Sequence, residues 1–231
     1  MYFDWTYLVL VLPAFIFSMW ASARVNGTFR NYQRQFSCRH ISGSQAARMI
    51  LDANGLQNVR IEQIPGSLTD HYDPSANVIR LSQPVYDNTS TAAIGVAAHE
   101  AGHAVQYATH YGPIRARNAI LPIAGVGSRL AVPLIIIGLI LGYMGSFFIV
   151  LAYVGIFFFA ACTLFQLVTL PTEFNASSRA LQAIQSSGIL NLEEMEGAKR
   201  VLWAAAMTYV AALAVSLTQL LRFFMLVDRR N

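Results

Sequence analysis

The sequence predicts a mainly α-helical integral membrane protein with about four transmembrane helices and a small α+β region that contains a short β-sheet. Only 12% of its 231 residues are charged and 55% are hydrophobic, whereas about a quarter of the residues in an ordinary soluble domain carry a charge. Charged residues are absent from residues 5–23, 130–172 and 201–221. Apolar runs of about 18 residues or more are typical of membrane-spanning helices. The middle stretch, with 43 residues, is long enough for two of them.

The first predicted span covers residues 2–23. Its N-terminal end, residues 1–4, carries one acidic residue, Asp4, and no basic residue. This favours an uncleaved membrane anchor over a secretory signal peptide, despite the Ala-Ser-Ala sequence at the end of the span. Five arginines follow the span and none precedes it: Arg24, Arg30, Arg34, Arg39 and Arg48. Because basic residues concentrate on the cytoplasmic side of membrane proteins, we expect the segment after this span to lie in the cytoplasm.

Residues 24–117 form the main polar region. A helix-like stretch near residues 44–53 is ended by an Asn-Gly pair. Alternating apolar and polar residues predict two strands, 59–64 and 78–81, and Pro-Gly and Asp-Pro turn signals separate them. We therefore expect a small sheet beside a helix, with the second strand at a sheet edge where an extended peptide can pair with it.

The rest of the chain is predicted to form a transmembrane hairpin, a polar segment and a final span. Residues 118–170 make the hairpin, which breaks at the glycine-rich residues 142–146. Its first helix carries Arg129 on a cytoplasmic extension, because an arginine inside the bilayer is costly. Residues 171–200 follow as the polar segment, and residues 201–231 comprise the fourth span and the C-terminal tail.

Charge distribution and cysteine content narrow the range of functions. The formal net charge is +4, but the chain has a single lysine and no cluster of basic and aromatic residues. A nucleic-acid-binding face needs such a cluster, so we expect no nucleic-acid partner. Of the two cysteines, Cys38 lies in a polar stretch and Cys162 in an apolar one. This separation predicts two free thiols rather than a disulfide.

The strongest chemical signal is the sequence HEAGH at residues 99–103, which matches the metal-binding pattern HExxH. It lies in a segment of helix-forming residues, 91–108, with the preceding serine as the expected N-cap. In a helix, His99 and His103 fall on one face, where their imidazoles can bind one Zn²⁺, and Glu100 lies beside the open coordination position. The pattern indicates a hydrolytic zinc site in which Glu100 is the base that deprotonates the attacking water.

A third metal ligand must come from outside this pattern. His110 lies seven residues after His103, whereas the three-histidine pattern requires a spacing of six, so His110 is a poor candidate. Glu173 is separated from the motif by two predicted spans, so it returns to the same side of the membrane, and it opens a polar helix there. One alternative is that the helix dipole alone explains a carboxylate at that position. Other carboxylates also stay open as ligands: Glu193, Glu194 and Glu196.

The chain combines an N-terminal anchor, the sequence HEAGHAVQ at residues 99–106, a transmembrane hairpin and the sequence LPTEFNAS at residues 170–177. In this combination it resembles, over nearly its whole length, the bacterial YugP-like family of membrane zinc metallopeptidases. More distantly, the chain is similar to the HtpX and Ste24-type CAAX-prenyl proteases. Those proteins also place a transmembrane hairpin between HExxH and a glutamate ligand.

The resemblance implies a gluzincin-like site with one Zn²⁺ per chain, held by His99, His103 and Glu173, with Glu100 catalytic. It also implies peptide-bond hydrolysis near the cytoplasmic face of the bacterial inner membrane. The distant relatives carry an aspartate four residues after the ligand glutamate, where it orients a zinc histidine. This chain has Ser177 there, and a serine hydroxyl is a weaker, uncharged partner for an imidazole. We therefore expect a lower zinc affinity or a less basic histidine.

Three further residues are weaker candidates for contact with the reacting group. His71 or Tyr72, in a turn-like stretch before the second predicted strand, is a candidate to stabilise an oxyanion. The alternative for His71 is an ordinary histidine of a surface loop. Arg179 lies six residues beyond Glu173 and is a similar candidate, with a contact to a phospholipid or a carboxylate as the alternative.

Together these features predict a multi-pass zinc endopeptidase, embedded in the lipid bilayer, whose substrates are membrane-associated or misfolded proteins. The alternative is a catalytically weak zinc-binding scaffold that regulates a membrane protein complex. Polar residues on both sides of the motif disfavour cleavage within the bilayer, and the lack of acidic residues in the predicted spans disfavours a transporter. Neither a homo-oligomer nor a partner protein follows from the sequence.

Overall fold

Four long helical segments dominate the structure, a computed structural model that describes residues 5–229. The start of the first predicted span, with Asp4, and the C-terminal Arg230 lie outside the described residues. Within the described chain, four helical segments are long and apolar enough to cross a membrane: Tyr7–Tyr32, Gly112–Met144, Ser146–Ser186 and Leu192–Asp228. With the small sheet described below, they confirm the predicted class, a mainly α membrane protein with about four spans.

Seven α-helices follow one another along the described chain: α1 (Leu12–Tyr32), α2 (Gly43–Ala53), α3 (Gln83–Tyr86), α4 (Thr91–Ala108), α5 (Gly112–Leu141), α6 (Ser146–Ser186) and α7 (Leu192–Asp228). A short π-helical turn, Tyr7–Val11, leads into α1, and a 3₁₀ turn, Gly142–Met144, separates α5 from α6. The predicted break in the hairpin is therefore confirmed. Helix α5 begins six residues earlier than expected, since the proline after Gly112 is tolerated in a first helical turn.

The second arm of the hairpin and the predicted polar helix form one continuous helix, α6. The expectation that Glu173 opens a separate helix is wrong, because α6 runs through Pro171 without a break. A proline inside a helix removes one backbone hydrogen bond and costs about 3 kcal/mol. Burial beyond it offsets this cost, since Ala176, Ala180 and Ile184 are fully buried. Because Glu173 lies inside a helix, the helix dipole does not explain its position.

The sheet has three strands in the order β1-β3-β2: β1 (Arg60–Ile64), β2 (His71–Asp73) and β3 (Val78–Ser82). Strand β1 pairs with β3 in parallel, and β2 pairs with β3 antiparallel. The expectation that β3 forms a sheet edge is wrong, and the turn expected before it is strand β2. Val78, Ile79 and Leu81 are fully buried. Pairing on both sides satisfies backbone groups of β3 that burial would otherwise leave without partners.

The chain divides into two compact units. One comprises Ser22–Ile114 and Pro171–Met207, and it holds the sheet, helices α2 to α4 and parts of α1, α6 and α7. The other comprises the described residues of Met1–Ala21, Arg115–Leu170 and Thr208–Asn231. The HExxH sequence and Glu173 both belong to the first unit.

Each unit has its own apolar core and one free cysteine. In the unit that contains the sheet, Ile94 of α4 is buried in the same cluster as Leu51 of α2 and Ile79 of β3. The core of the other unit is built from α5, α6 and α7. Cys38 and Cys162 are both free, as predicted.

Candidate metal centre

Helix α4 carries the HExxH sequence, and local hydrogen bonds fix both of its ends. The Ser90 hydroxyl accepts a hydrogen bond from the Ala93 N–H at 3.2 Å, which confirms the predicted N-cap. At the other end, His110 has a left-handed φ of 51° and the Tyr111 N–H donates to the carbonyl five residues before it at 3.0 Å. Bonds of this kind terminate helices. The helix therefore covers the predicted residues, Thr91–Ala108.

Glycine at position 102 allows α4 to lie directly against α6. A Cβ atom built on Gly102 would lie 2.6 Å from the Ala176 carbonyl oxygen, closer than side-chain atoms approach a backbone. On the same helix, a Cβ atom on Gly95 would lie 3.2 Å from the Ala198 Cβ of α7. The close packing of α4 on α6 brings the turn that carries Glu173 next to the two motif histidines.

His99, His103 and Glu173 converge at one point. The Glu173 Oε2 lies 3.3 Å from the His99 Nε2 and 3.5 Å from the His103 Nε2, and the ligand atoms of all three lie within 4.8 Å of one another. Around a tetrahedral Zn²⁺ with ligand distances of about 2.0–2.1 Å, neighbouring ligand atoms are about 3.3–3.4 Å apart. The separations between Glu173 and each histidine fit that geometry.

Both histidines are held by a hydrogen bond at the opposite ring nitrogen. The His99 Nδ1 lies 3.1 Å from the Ser177 hydroxyl oxygen, and the His103 Nδ1 lies 3.0 Å from the Gln106 Oε1. Metal-binding histidines almost always use their second nitrogen in this way, which fixes the ring and its tautomer. Ser177 thus lies where the family resemblance implies a partner for a histidine.

Neighbouring groups settle the orientation of the Gln106 amide. Its Nε2 donates to the Thr172 carbonyl at 2.7 Å and to the Asn175 Oδ1 at 2.9 Å. The Arg179 Nε donates to the same Oδ1 at 2.8 Å, and a guanidinium has only donors. The Gln106 Oε1 must therefore accept a hydrogen bond from the His103 Nδ1. In this tautomer the Nε2 lone pair of His103 is directed into the centre.

The charge of the centre favours a bound cation. Burial lowers the pKa of His103, but the hydrogen bond to Glu173 and the negative charges of Glu100 and Glu173 outweigh it, so the pKa lies above its ordinary value. A positive charge between His103 and the Glu173 carboxylate is therefore favoured, whether it is a proton on His103 or a metal ion. Two imidazole nitrogens and one carboxylate are ligands that Zn²⁺ accepts, and three protein ligands are typical of catalytic zinc sites. The residues therefore fit zinc.

Glu100 lies beside this centre and is held by the sheet. Its Oε2 accepts a hydrogen bond from the backbone N–H of Tyr72 in β2 at 2.9 Å, and the residue is buried. Strand β2 is an edge strand, so the outward N–H of Tyr72 is available to a side chain of α4. The carboxylate is thus held by the sheet edge and lies close enough to His103 for its charge to raise the pKa of that residue.

Comparison with known proteins identifies the family of this chain. The family described as "Putative neutral zinc metallopeptidase" matches residues 7–228. The chain belongs to this family. It is also 45% identical over 220 residues to the "Putative membrane protease YugP" of Bacillus subtilis (strain 168), which covers 95% of this chain and 96% of that protein. No solved structure matches. The resemblance seen in the sequence is confirmed.

In this member of the neutral zinc metallopeptidase family, the weaker site candidates have their own partners. His71 is exposed, and its Nδ1 lies 2.8 Å from the Thr69 carbonyl. The Tyr72 hydroxyl donates to the Asn77 Oδ1 at 3.0 Å, and burial raises the pKa of Tyr72. Tyr72 therefore touches the site through its backbone N–H. Arg179 is linked to the site through its hydrogen bond to the Asn175 side chain, which also accepts a hydrogen bond from Gln106.

The alternative third ligands lie in other environments. Glu194 accepts hydrogen bonds from two backbone N–H groups, at 2.7 and 2.9 Å. Glu196 pairs with Arg200 at 2.9 Å, and both Glu193 and His110 are exposed. The group of three metal-binding side chains found among residues 5–229 contains none of these four.

Gln106 and Asn175 are site residues that the sequence analysis missed. A signal for Gln106 was available, because residues three apart lie on one helical face and Gln106 follows His103 at that spacing. Gln106 is fully buried, and an amide so placed needs partners. Asn175 precedes Arg179 by four residues on α6, but its role depends on how α6 packs against α4.

Replacing Gln106 with leucine is expected to weaken zinc binding about 10–100-fold, the usual effect of losing a partner that orients a metal ligand. The leucine keeps the volume but leaves the His103 Nδ1 without its acceptor. The measurement is the zinc dissociation constant of the purified protein in competition with a chelator. Gln57→Leu, at an exposed position, is the control. An unchanged constant for Gln106→Leu would show that His103 needs no such partner.

Substituting Gly102 with alanine is expected to destabilise the protein by about 1–3 kcal/mol, the usual cost of overpacking a core. The added methyl group meets a backbone carbonyl of α6 that cannot rotate away. Gly125→Ala in α5 is the control, because no atom lies within 4 Å of its Cβ position. Thermal unfolding in detergent should show a lower midpoint for Gly102→Ala than for Gly125→Ala. Equal midpoints would contradict the proposed close contact.

Proposed function

We propose that the chain is an integral-membrane zinc endopeptidase of the gluzincin type, with one Zn²⁺ per chain bound by His99, His103 and Glu173. The observation that carries the proposal is the separation of the Glu173 Oε2 from the two histidine Nε2 atoms, 3.3 and 3.5 Å, which suits a tetrahedral ion. The hydrogen bonds that hold the two Nδ1 atoms support it. Membership of a zinc metallopeptidase family agrees with this choice of metal.

In the proposed mechanism, a zinc ion held by these residues supplies Lewis acidity toward water and the scissile carbonyl. Glu100 is the general base: its carboxylate takes a proton from the attacking water and then delivers it to the leaving amine nitrogen. The Tyr72 N–H holds one oxygen of this carboxylate and so fixes its orientation. Gln106 and Ser177 keep the two imidazoles aimed at the metal.

We assign the peptidase region to residues 24–117 and 171–200, and the membrane anchor to residues 1–23, 118–170 and 201–231. The arginines that follow the first span favour a cytoplasmic site at the bacterial inner membrane. A site so close to a membrane suits membrane-associated or misfolded proteins as substrates. The Bacillus subtilis relative is named as a membrane protease, which agrees with this assignment.

The test is to measure zinc content and casein cleavage on the same detergent-purified sample. We expect one zinc per chain, loss of cleavage after treatment with 1,10-phenanthroline, and recovery when Zn²⁺ is added back. Addition of Mg²⁺ is the control, because a site with two histidines is not suited to that ion.

Zinc-loaded protein that cleaves neither casein nor unfolded membrane proteins would contradict the proposal. That result would favour the alternative of a zinc-binding scaffold. Cleavage that persists after complete removal of zinc would show that the activity does not depend on this centre.

A further inference from the structure

A cavity that shares no residue with the metal centre lies between α1 and the first turns of α7. Its volume is about 620 Å³. Three basic residues line it: Arg24 from α1 and Lys199 and Arg200 from α7. Lys199 is the single lysine of the chain. The proposed peptidase activity assigns no role to this cavity.

The cavity carries an excess of positive charge. Glu196 is the acidic residue in its lining, and the Glu196 Oε1 lies 2.9 Å from the Arg200 Nε. Three cationic groups and one carboxylate leave two positive charges in excess. A cavity of this charge favours an anion.

Both helices pass from apolar to charged sequence at the cavity. On α1, Arg24 follows an uncharged stretch, residues 5–23, and on α7, Arg200 precedes another, residues 201–221. Trp203, one turn into the second stretch, also lines the cavity and is 52% exposed. Tryptophan side chains concentrate where lipid headgroups meet the acyl chains. In a membrane, such a change from apolar to charged sequence is expected near the lipid phosphates.

The wall formed by α1 leaves room for a ligand. Gly27 lines the cavity, and no atom lies within 4 Å of the position that its Cβ would occupy. A headgroup can therefore approach the backbone of α1 there while its phosphate meets the basic residues of both helices.

We infer that this cavity binds the headgroup of an anionic phospholipid from the bilayer. The positive charge pairs with the phosphodiester, and the exposed ring of Trp203 packs beside the glycerol and the first carbons of the acyl chains. Basic pockets between transmembrane helices on the cytoplasmic side bind such headgroups. The lipid joins α1 to α7 at the membrane surface, independently of the zinc chemistry.

The test uses the fluorescence of Trp203 in the zinc-loaded full chain carrying Trp5→Phe and Trp20→Phe, which leaves one of the three tryptophans. The protein in detergent is titrated with dioctanoyl phosphatidylglycerol, dioctanoyl phosphatidylcholine and inorganic phosphate. We expect saturable binding of phosphatidylglycerol and at least tenfold weaker binding of the other two. Equal binding of the two lipids would overturn the proposal, and phosphate binding as tight as that of phosphatidylglycerol would make the site one for a free anion instead.

Two kinds of variant test the positive charge of the cavity and its free volume separately. Lys199→Gln with Arg200→Gln removes two cations and should weaken phosphatidylglycerol binding at least tenfold. Gly27→Leu changes no charge, fills the cavity where no atom now lies, and should have a similar effect. Arg60→Gln, at an exposed position in β1, is the control and should bind as the parent protein does. All variants should keep the parent zinc content, and unchanged binding by either kind of variant would overturn the proposal.

Discussion

Replacing Glu100 with glutamine is expected to lower kcat about 10²–10⁴-fold, the range that a general base contributes, while the zinc content stays unchanged. Glutamine has nearly the same shape, and its amide oxygen can still accept the hydrogen bond from the Tyr72 N–H. It cannot take a proton from water at neutral pH. Because Glu100 is not one of the three converging ligands, metal binding should survive. The measurement is kcat on casein and zinc content on one sample.

The matched control for this variant is Glu62→Gln, a carboxylate on β1 that pairs with Arg60. It removes the same charge from the same unit and should keep parent activity. A Glu100→Gln protein that retains full activity would remove Glu100 from the mechanism. Loss of zinc together with activity would instead make Glu100 a metal ligand, which would contradict the proposed division of roles.

The parts of the site that were predicted correctly depend on local sequence. Helix α4 begins after Ser90 because a serine hydroxyl can cap the first turn, and a spacing of four places His99 beside His103 on any helix. The proximity of Glu173 is predicted by the number of spans, since two spans return the chain to the same side of the membrane whatever the details of packing.

The parts that were missed depend on packing between distant segments. Pro171 is a standard signal for a helix end, and only the burial of the residues after it explains why α6 continues. Strand β2 has three residues, too few for an alternating pattern to identify. The contact of Gln106 with Asn175 exists because Gly102 lets α4 and α6 approach closely. Such approaches are not encoded within a short window of sequence.

Replacing Glu173 with glutamine is expected to weaken zinc binding by more than the 10–100-fold loss expected for Gln106→Leu. The substitution removes a charged ligand, whereas the change at Gln106 removes only a partner of a ligand. Zinc should then raise the unfolding temperature less than it does in the parent protein, since stabilisation by a ligand grows with the logarithm of its concentration divided by its dissociation constant. The measurements are the zinc dissociation constant and the unfolding midpoint with and without zinc.

Glu193→Gln is the control for this variant, because it removes a carboxylate at an exposed position on the next helix. It should bind zinc as the parent protein does. Parent affinity in Glu173→Gln would overturn the assignment and return attention to Glu194, Glu196 and His110. The unfolding midpoints with and without zinc provide a further distinction. If Glu173 serves only to hold the two histidines in place, its replacement should lower the zinc-free midpoint and leave the rise caused by zinc unchanged. If it is a metal ligand, the rise caused by zinc should itself become smaller.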